Sequence, residues 1–246
     1  LVNGPHLPNI AAIADLSRGK LSAQVDLRTG AGRDQLHTLA HGAHVFLQGY
    51  RPGALAGQGF SAEALARRHP GIVVAELSAY GSTGPWAGRR GFDSLVQTCS
   101  GLNLAEAQAA GSSTPRAQPV QVLDLAAGHL LAFGIQVALW RQATQGGSWR
   151  VQVSLAGVGH WLRAMGQDSA GLAAPALPAG PALDAALAPW LEDSPCGFDT
   201  AASGPRADGS LGSLRALRHA AQLSATPVRW ARPSMPPGTH PPAWPA

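Results

Sequence analysis

Three acidic or basic positions in this sequence stand where chemistry is possible. Asp124 heads an almost wholly apolar run, "VLDLAAGHLLAFGIQVALW". An acid in the first turn of a helix is favoured by free backbone amides and the helix dipole, so Asp124 reads plainly as an N-cap. The sharper reading is a semi-buried carboxylate serving as nucleophile or general base, its ionised form held by those same amides. Arg51 lies in "YRPGALAGQGF" (50–60), a glycine-rich stretch between a strand-like and a helix-like segment. Such a turn lets backbone amides approach a ligand, and an arginine there can bind a phosphate. It would also serve as an ordinary βα loop with a solvated arginine. Asp93, in "RRGFDSL", follows two arginines and precedes a helix, where capping explains it.

Other chemistries find no pattern. His37, His41 and His44 match no zinc spacing, and Cys99 and Cys196 lie too far apart for a metal or redox pair, so no metal is expected. His129 follows Asp124 by five residues, off its helical face, and reads as a packing histidine. G-x-S-x-G and G-x-G-x-x-G are both absent, which removes support for a serine hydrolase elbow or a nicotinamide or flavin site. Net charge is +4 with only 13% of residues charged, and every basic residue except Lys20 is arginine. This thin basicity forms no nucleic-acid stripe. The two distant cysteines suit a reducing, cytoplasmic compartment. The opening residues do not read as a signal peptide, and Asp124, His129 and Gln136 interrupt the longest apolar run, so a soluble protein with no signal peptide and no membrane span is expected.

These residues need a frame. The pattern predicts strands over 20–27, 44–49, 71–81 and 148–155, and helices over 32–42, 61–69, 93–103, 120–143 and 156–167. Ser61 is the expected N-cap of the second helix and Pro70–Gly71 its stop. Short alternating strands and helices argue for a parallel sheet with right-handed crossovers, whose carboxyl edge is where ligands bind. The Ala/Pro/Gly-rich segment 169–211 reads as a linker or the remnant of a small domain. Residues 212–246 read as a proline-rich arm, with Trp230 and Trp244 needing a surface to cover them. The opening has loop character and no initiator methionine, so an upstream segment is expected to be missing.

Four segments in order, "SRGKLSAQVDLRTGAGRDQL", "AHVFLQGYRPGALAGQGF", "HPGIVVAELSAYGSTGPWAGRRGFDSLVQTCSGL" and "PVQVLDLAAGHLLAFGIQVALWRQATQGGSWRVQVSL", resemble the class III CoA-transferases. This is the carnitine dehydratase and bile-acid-inducible family, with formyl-CoA transferases and α-methylacyl-CoA racemases among its members. The resemblance spans roughly residues 17–165, and "LSATPVRWARPSMPPGTH" is similar to the family's closing segment. It implies an α/β fold: a Rossmann-like, parallel-sheet CoA-binding domain over 1–168 with helices on both faces, the small domain largely missing. It also implies acyl-CoA and a small carboxylic acid as substrates, and a homodimer.

By the same resemblance, the family's "LDLK" segment falls on Val25, Asp26, Leu27 and Arg28 at the CoA nucleotide site. Its "ENFRPG" loop places Gly49, Tyr50 and Arg51 against CoA. Its R-x-G-[YH]-D segment places Arg90, Gly91, Phe92 and Asp93 beside CoA, and the transferases' catalytic aspartate falls on Asp124. In that family the carboxylate forms a mixed anhydride and then a thioester, which requires a dry site; the apolar run after Asp124 fits that need. Racemases carry a histidine where this chain has Phe92, so a histidine–aspartate relay lacks half its pair. Two readings stay open: a CoA-transferase, or an inert truncated relative that binds CoA or a partner subunit.

Overall fold

A computed structural model of the chain describes residues 1–6, 12–168, 170–173, 175, 178–199, 204–206 and 208–245. In chain order its elements are β1 (Val2–Asn3), α1 (Ile13–Leu16), β2 (Ala23–Gln24), α2 (Gly30–His41), β3 (Val45–Gln48), α3 (Ala62–Arg68), β4 (Val73–Ser78), α4 (Asp93–Cys99), α5 (Leu102–Ala109), α6 (Val122–Gln145), β5 (Trp149–Ser154), α7 (Leu155–Ala164), α8 (Pro181–Leu187), β6 (Leu191–Cys196), β7 (Phe198–Asp199), β8 (Gly204–Pro205) and β9 (Gly212–Leu217). They divide into two compact units: a central one, residues 40–174, and a terminal one, residues 1–39 with 175–246. The fold is mixed α/β.

The central unit is built on a parallel sheet in the order β3-β4-β5. The middle strand continues the run Ile72, Val73, Val74 and Ala75, all buried, because a parallel strand covered on both faces must be apolar on both. Ser61 starts α3 as expected, its hydroxyl accepting the Ala64 N–H at 3.1 Å. The predicted 93–103 helix is two helices, since Gly101 takes φ +78°, a left-handed conformation that ends one and opens the next.

Helix α6 packs on β4, β5 and α7. Its buried residues, Leu123, Ala127, Leu131 and Ala138, recur at helical spacing along one stripe. Leu125, Phe133 and Trp140 lie exposed on the same helix. By length and composition alone this helix could cross a membrane. Its first turn enters a core of Ala79, Val96, Leu102, Leu155 and Val158, where full burial of a side chain such as Leu123 contributes about 1.5–3 kcal/mol.

In the terminal unit β1 pairs parallel with β2, β6 antiparallel with β9, and β7 antiparallel with β8. The opening residues, expected as loop, therefore hold a short strand, and the expected 20–27 strand shrinks to Ala23–Gln24. The segment expected as a linker or the remnant of a small domain, 169–211, contains α8 and β6 to β8; within it 169, 174, 176, 177, 200–203 and 207 lie outside the described residues. The reason is long-range pairing: "LEDSPC" becomes a strand only because "GSLRAL" lies antiparallel to it. The hub is Arg18, which bonds Glu192 at 2.8 Å and the Leu217 carbonyl at 3.0 Å and stacks on Trp230 at 4.5 Å. The proline-rich tail lies against this unit, with the Ser234 hydroxyl at 2.6 Å from that of Ser17 and the Trp244 indole donating to the Leu39 carbonyl at 2.9 Å.

Candidate active site at the head of a long helix

Parallel strands deliver their following loops to one edge of the sheet, and each strand end here is tied by its own polar side chain. The Gln48 side-chain oxygen accepts the Tyr50 N–H at 2.8 Å, the Ser78 hydroxyl accepts the Gly81 N–H at 3.1 Å, and the Ser154 hydroxyl caps α7 through the Gly157 N–H at 3.1 Å. Gln48, Ser78, Gly81 and Ser154, with Tyr50, Gly53 and Thr83, line a cavity of about 440 Å³. Burial pushes the Tyr50 phenol up. On the sheet beneath, Glu76 is in register with Gln48 and Gln152, accepts a hydrogen bond from each, and pairs with Arg150 at 2.7 Å. A second hollow of about 590 Å³ lies among Leu102, Glu106, Gln118, Val122, Leu162 and Arg163. Asp124 lines neither.

Of the expected CoA contacts in this unit, Gly49, Tyr50 and Arg51 follow β3, and Tyr50 alone of the three lines the first cavity. Arg51 and Arg90 are exposed and make no ion pair among the described residues. In the loop leading to Arg90, Tyr80 packs edge-on against Trp86 at 5.2 Å and Arg89 lies over Trp86 at 5.1 Å. Gly91 is required by packing: a Cβ there would meet Ala79 Cβ at 2.8 Å and Val96 Cγ2 at 2.9 Å. Phe92 is 82% exposed.

The family resemblance implies Asp93 beside CoA, and its place before a helix suggests a cap for that helix; Phe92 is instead the N-cap of α4, and Asp93 is 1% exposed. Its Oδ2 accepts the Asp124 backbone N–H at 2.8 Å, across 31 residues, and its Oδ1 accepts from the Gln97 side-chain amide. Asp93 therefore caps α6. Asp124, expected as a cap or a semi-buried carboxylate, is not the cap: Gln121 is the N-cap residue and no side chain caps the helix from there, while the Asp124 side chain, in the first turn, is solvent-accessible yet partly desolvated. A buried acceptor from another helix has taken the orphan amide that a local cap would otherwise satisfy. Desolvation, with the Asp93 charge adding to it, raises the Asp124 carboxyl above its ordinary value. His129, read as a packing residue, is exposed.

The remaining expected contacts belong to the terminal unit. Val25 is buried, and Leu27 offers its carbonyl to the Arg33 side chain at 2.9 Å. Arg28 is already committed: its guanidinium grips both Asp26 oxygens at 2.8 and 2.7 Å, and its backbone N–H donates to Asp26 as well. That grip pulls the Asp26 carboxyl down to about 2. Gln97, Glu76 and Arg150 are not singled out by the sequence reading. An acid four residues before a glutamine, Asp93 and Gln97, is the available sign, but it looks the same on a solvated face. Among the described residues no group of three or more histidine, cysteine or acidic side chains could hold a metal ion.

The CoA-transferase family III profile matches residues 6–182. A relative in Mycobacterium tuberculosis named "Probable fatty acyl-CoA transferase" is 35% identical over 148 residues, covering 60% of this chain and 37% of its own length. An acetyl-CoA:oxalate CoA-transferase of Acetobacter aceti is 31% identical over 140 residues, covering 57% of this chain and 36% of its own. The crystal structure of the mycobacterial protein superposes with a TM-score of 0.60 at 32% identity, over 67% of this chain and 48% of that one. A Brucella suis CAIB/BAIF family structure, with a TM-score of 0.54 at 23% identity, shares the fold. The chain belongs to CoA-transferase family III. Its matches span little more than a third of the length of these curated relatives.

Proposed function

We propose that this chain carries the CoA-binding and nucleophile-bearing part of an enzyme that moves CoA between carboxylic acids, with Asp124 as the nucleophile. The observation that carries this reading is a carboxylate on a turn anchored from behind by Asp93, exposed to a reactant and more basic than an ordinary aspartate. Greater basicity makes a better nucleophile while the group stays ionised near neutrality. In the first step an Asp124 oxygen attacks the acyl-CoA carbonyl; the C–S bond breaks and CoA leaves as thiolate, giving a mixed anhydride. The thiolate attacks the aspartyl carbonyl, releasing the first acid and leaving an aspartyl-CoA thioester. The second acid's carboxylate displaces CoA to form a new anhydride. Thiolate attack on its acyl carbonyl yields the new acyl-CoA and restores Asp124. Arg51 and Arg90, both exposed and without ion-pair partners among the described residues, are proposed to hold the CoA phosphates. Phe92 cannot carry a proton, so racemisation through that position is not supported.

One observation favours a second reading. An anhydride survives only where water is excluded, and Asp124 and its neighbour Leu125 are exposed. A chain that binds CoA but lacks the cover would hydrolyse acyl-CoA or leave it untouched. The test is to mix protein, acyl-CoA and an isotopically labelled free acid, and to follow label into acyl-CoA by mass spectrometry. Label transfer by wild type, lost in Asp124→Asn with CoA binding retained, supports transfer. Release of free CoA without label transfer supports the uncovered site, and equal transfer by the asparagine variant removes Asp124 from the chemistry.

A further inference from the structure

We infer that Gln97 is a positioning residue for Asp124, acting through Asp93 and through residues 118–120; this rests on Asp124 being the nucleophile. Gln97 is 2% exposed, and a buried amide must find partners for both its ends. Its oxygen accepts the Gln118 N–H at 3.1 Å. Its nitrogen donates to Asp93 Oδ1 and to the Val120 carbonyl, the latter at 3.2 Å. These partners fix the amide's orientation, since a flip would set nitrogen against the Gln118 N–H and oxygen against a carboxylate and a carbonyl.

Two arms thus run from one side chain to the start of α6. One passes through the Asp93 carboxylate to the Asp124 N–H. The other grips the main chain at Gln118 and Val120, just before the helix begins. Asp93 has no ion pair among the described residues, so its buried charge rests on two amide donors, the Gln97 side chain and the Asp124 N–H in the first turn of α6. Without the Gln97 donor, the carboxylate that holds the Asp124 turn would lose half of its support. A displacement of about 1 Å at a nucleophile can cost on the order of 10²-fold in rate, so a brace here controls turnover without touching substrate.

The pairing can be broken and remade. Gln97→Glu sets one carboxylate against another, and label transfer should fall about 10²-fold in kcat with KM for acyl-CoA changed by no more than about twofold. In Asp93→Asn the new amide faces the Gln97 amide, donor to donor, and transfer should also fall. The double variant, Asp93→Asn with Gln97→Glu, restores complementarity by exchanging the amide and the carboxylate. The amide now at position 93 donates to the carboxylate at position 97, which still accepts the Gln118 N–H. The oxygen of that amide still accepts the Asp124 N–H. At Val120 the bond stays lost and a carboxylate oxygen faces the carbonyl, so rescue should be partial, with kcat returning to within about tenfold of wild type. A double variant no faster than the slower single variant, or a Gln97→Glu protein with wild-type kcat, overturns the inference. Absence of transfer in wild type would defeat the proposed function on which the catalytic side of this inference rests, while amide hydrogen exchange in wild type and Gln97→Ala reads the brace itself. Faster exchange confined to Asp124 and residues 118–126 supports it. Unchanged exchange, or uniformly faster exchange along the chain, overturns it.

Discussion

Asp26 in the terminal unit and Asp93 in the central unit are both aspartates that hold a backbone N–H, and they leave their surroundings in opposite electrical states. Asp26 faces the Arg28 guanidinium, which brings its carboxyl down to about 2. Its charge is spent on that one cation. Asp93 is buried without an ion pair among the described residues and is held by amides, so its charge still acts outward. The group it acts on is Asp124, whose carboxyl is raised by desolvation and then by Asp93. A carboxylate facing a guanidinium is weakened as base and nucleophile; one facing another carboxylate is strengthened. Desolvation and partner, rather than residue type, set the two carboxyls on opposite sides of the ordinary value.

The strongest way to break the Asp93 side of this contrast is Gly91→Ala. The added methyl would meet Ala79 at 2.8 Å and Val96 at 2.9 Å, inside the packing that seats the start of α4. Overpacking of this kind costs about 1–3 kcal/mol, read as a lower denaturation midpoint. An unchanged midpoint would show that the loop yields freely.

The arginines sharpen the contrast next. Arg51→Ala should weaken CoA binding about tenfold at low salt, because an uncommitted guanidinium is lost from a phosphate contact, and the difference should shrink as salt rises. Arg28→Ala should change the affinity by no more than about twofold, since its guanidinium already serves Asp26. Calorimetry giving the reverse ranking would reassign the phosphate contact to Arg28.

Smaller effects follow from the two carboxyls. The folded-state value of Asp124 lies above its unfolded value, so its ionised form costs stability once pH has risen through the folded value. Asp124→Asn should therefore be neutral to slightly stabilising at pH 7, by less than about 1 kcal/mol, with the gain gone below about pH 4. A lower melting temperature at pH 7 would contradict this. Asp26 runs the other way: its depressed value gives a contribution present above 3.8 and lost as pH falls through about 2. Arg28→Ala should soften the acid limb of the stability profile in that window only, and slightly, because the pair is exposed. A shift confined to neutral pH would place the effect elsewhere.

Local pattern carries much of the central unit. The apolar run at 71–81 can be read because a parallel strand covered on both faces must be apolar on both, the stretch 148–155 because its apolar and polar residues alternate, and Ser61 because a cap bonds three residues along its own chain. The strands at 191–196 and 212–217 cannot, because each exists only by pairing with the other and their composition resembles a linker. The candidate site divides the same way. Asp124 is marked by type and by its place at a helix start, but local reasoning assigns its cap to itself. The acid that supplies the cap lies 31 residues earlier, and nothing local in the sequence pairs the two. Gln97 escapes notice for a similar reason: its partners Gln118 and Val120 meet it only in the folded chain.

The central claim, that the Asp124 carboxylate is the nucleophile, is tested most directly by mass. Protein held at saturating acyl-CoA without a second acid, then quenched in acid, should gain the mass of CoA less one water. Peptide mapping should place that gain on Asp124 alone, and Asp124→Asn should show none. A CoA-sized gain on another residue such as Cys99, or none at all while CoA is demonstrably bound, would contradict the account.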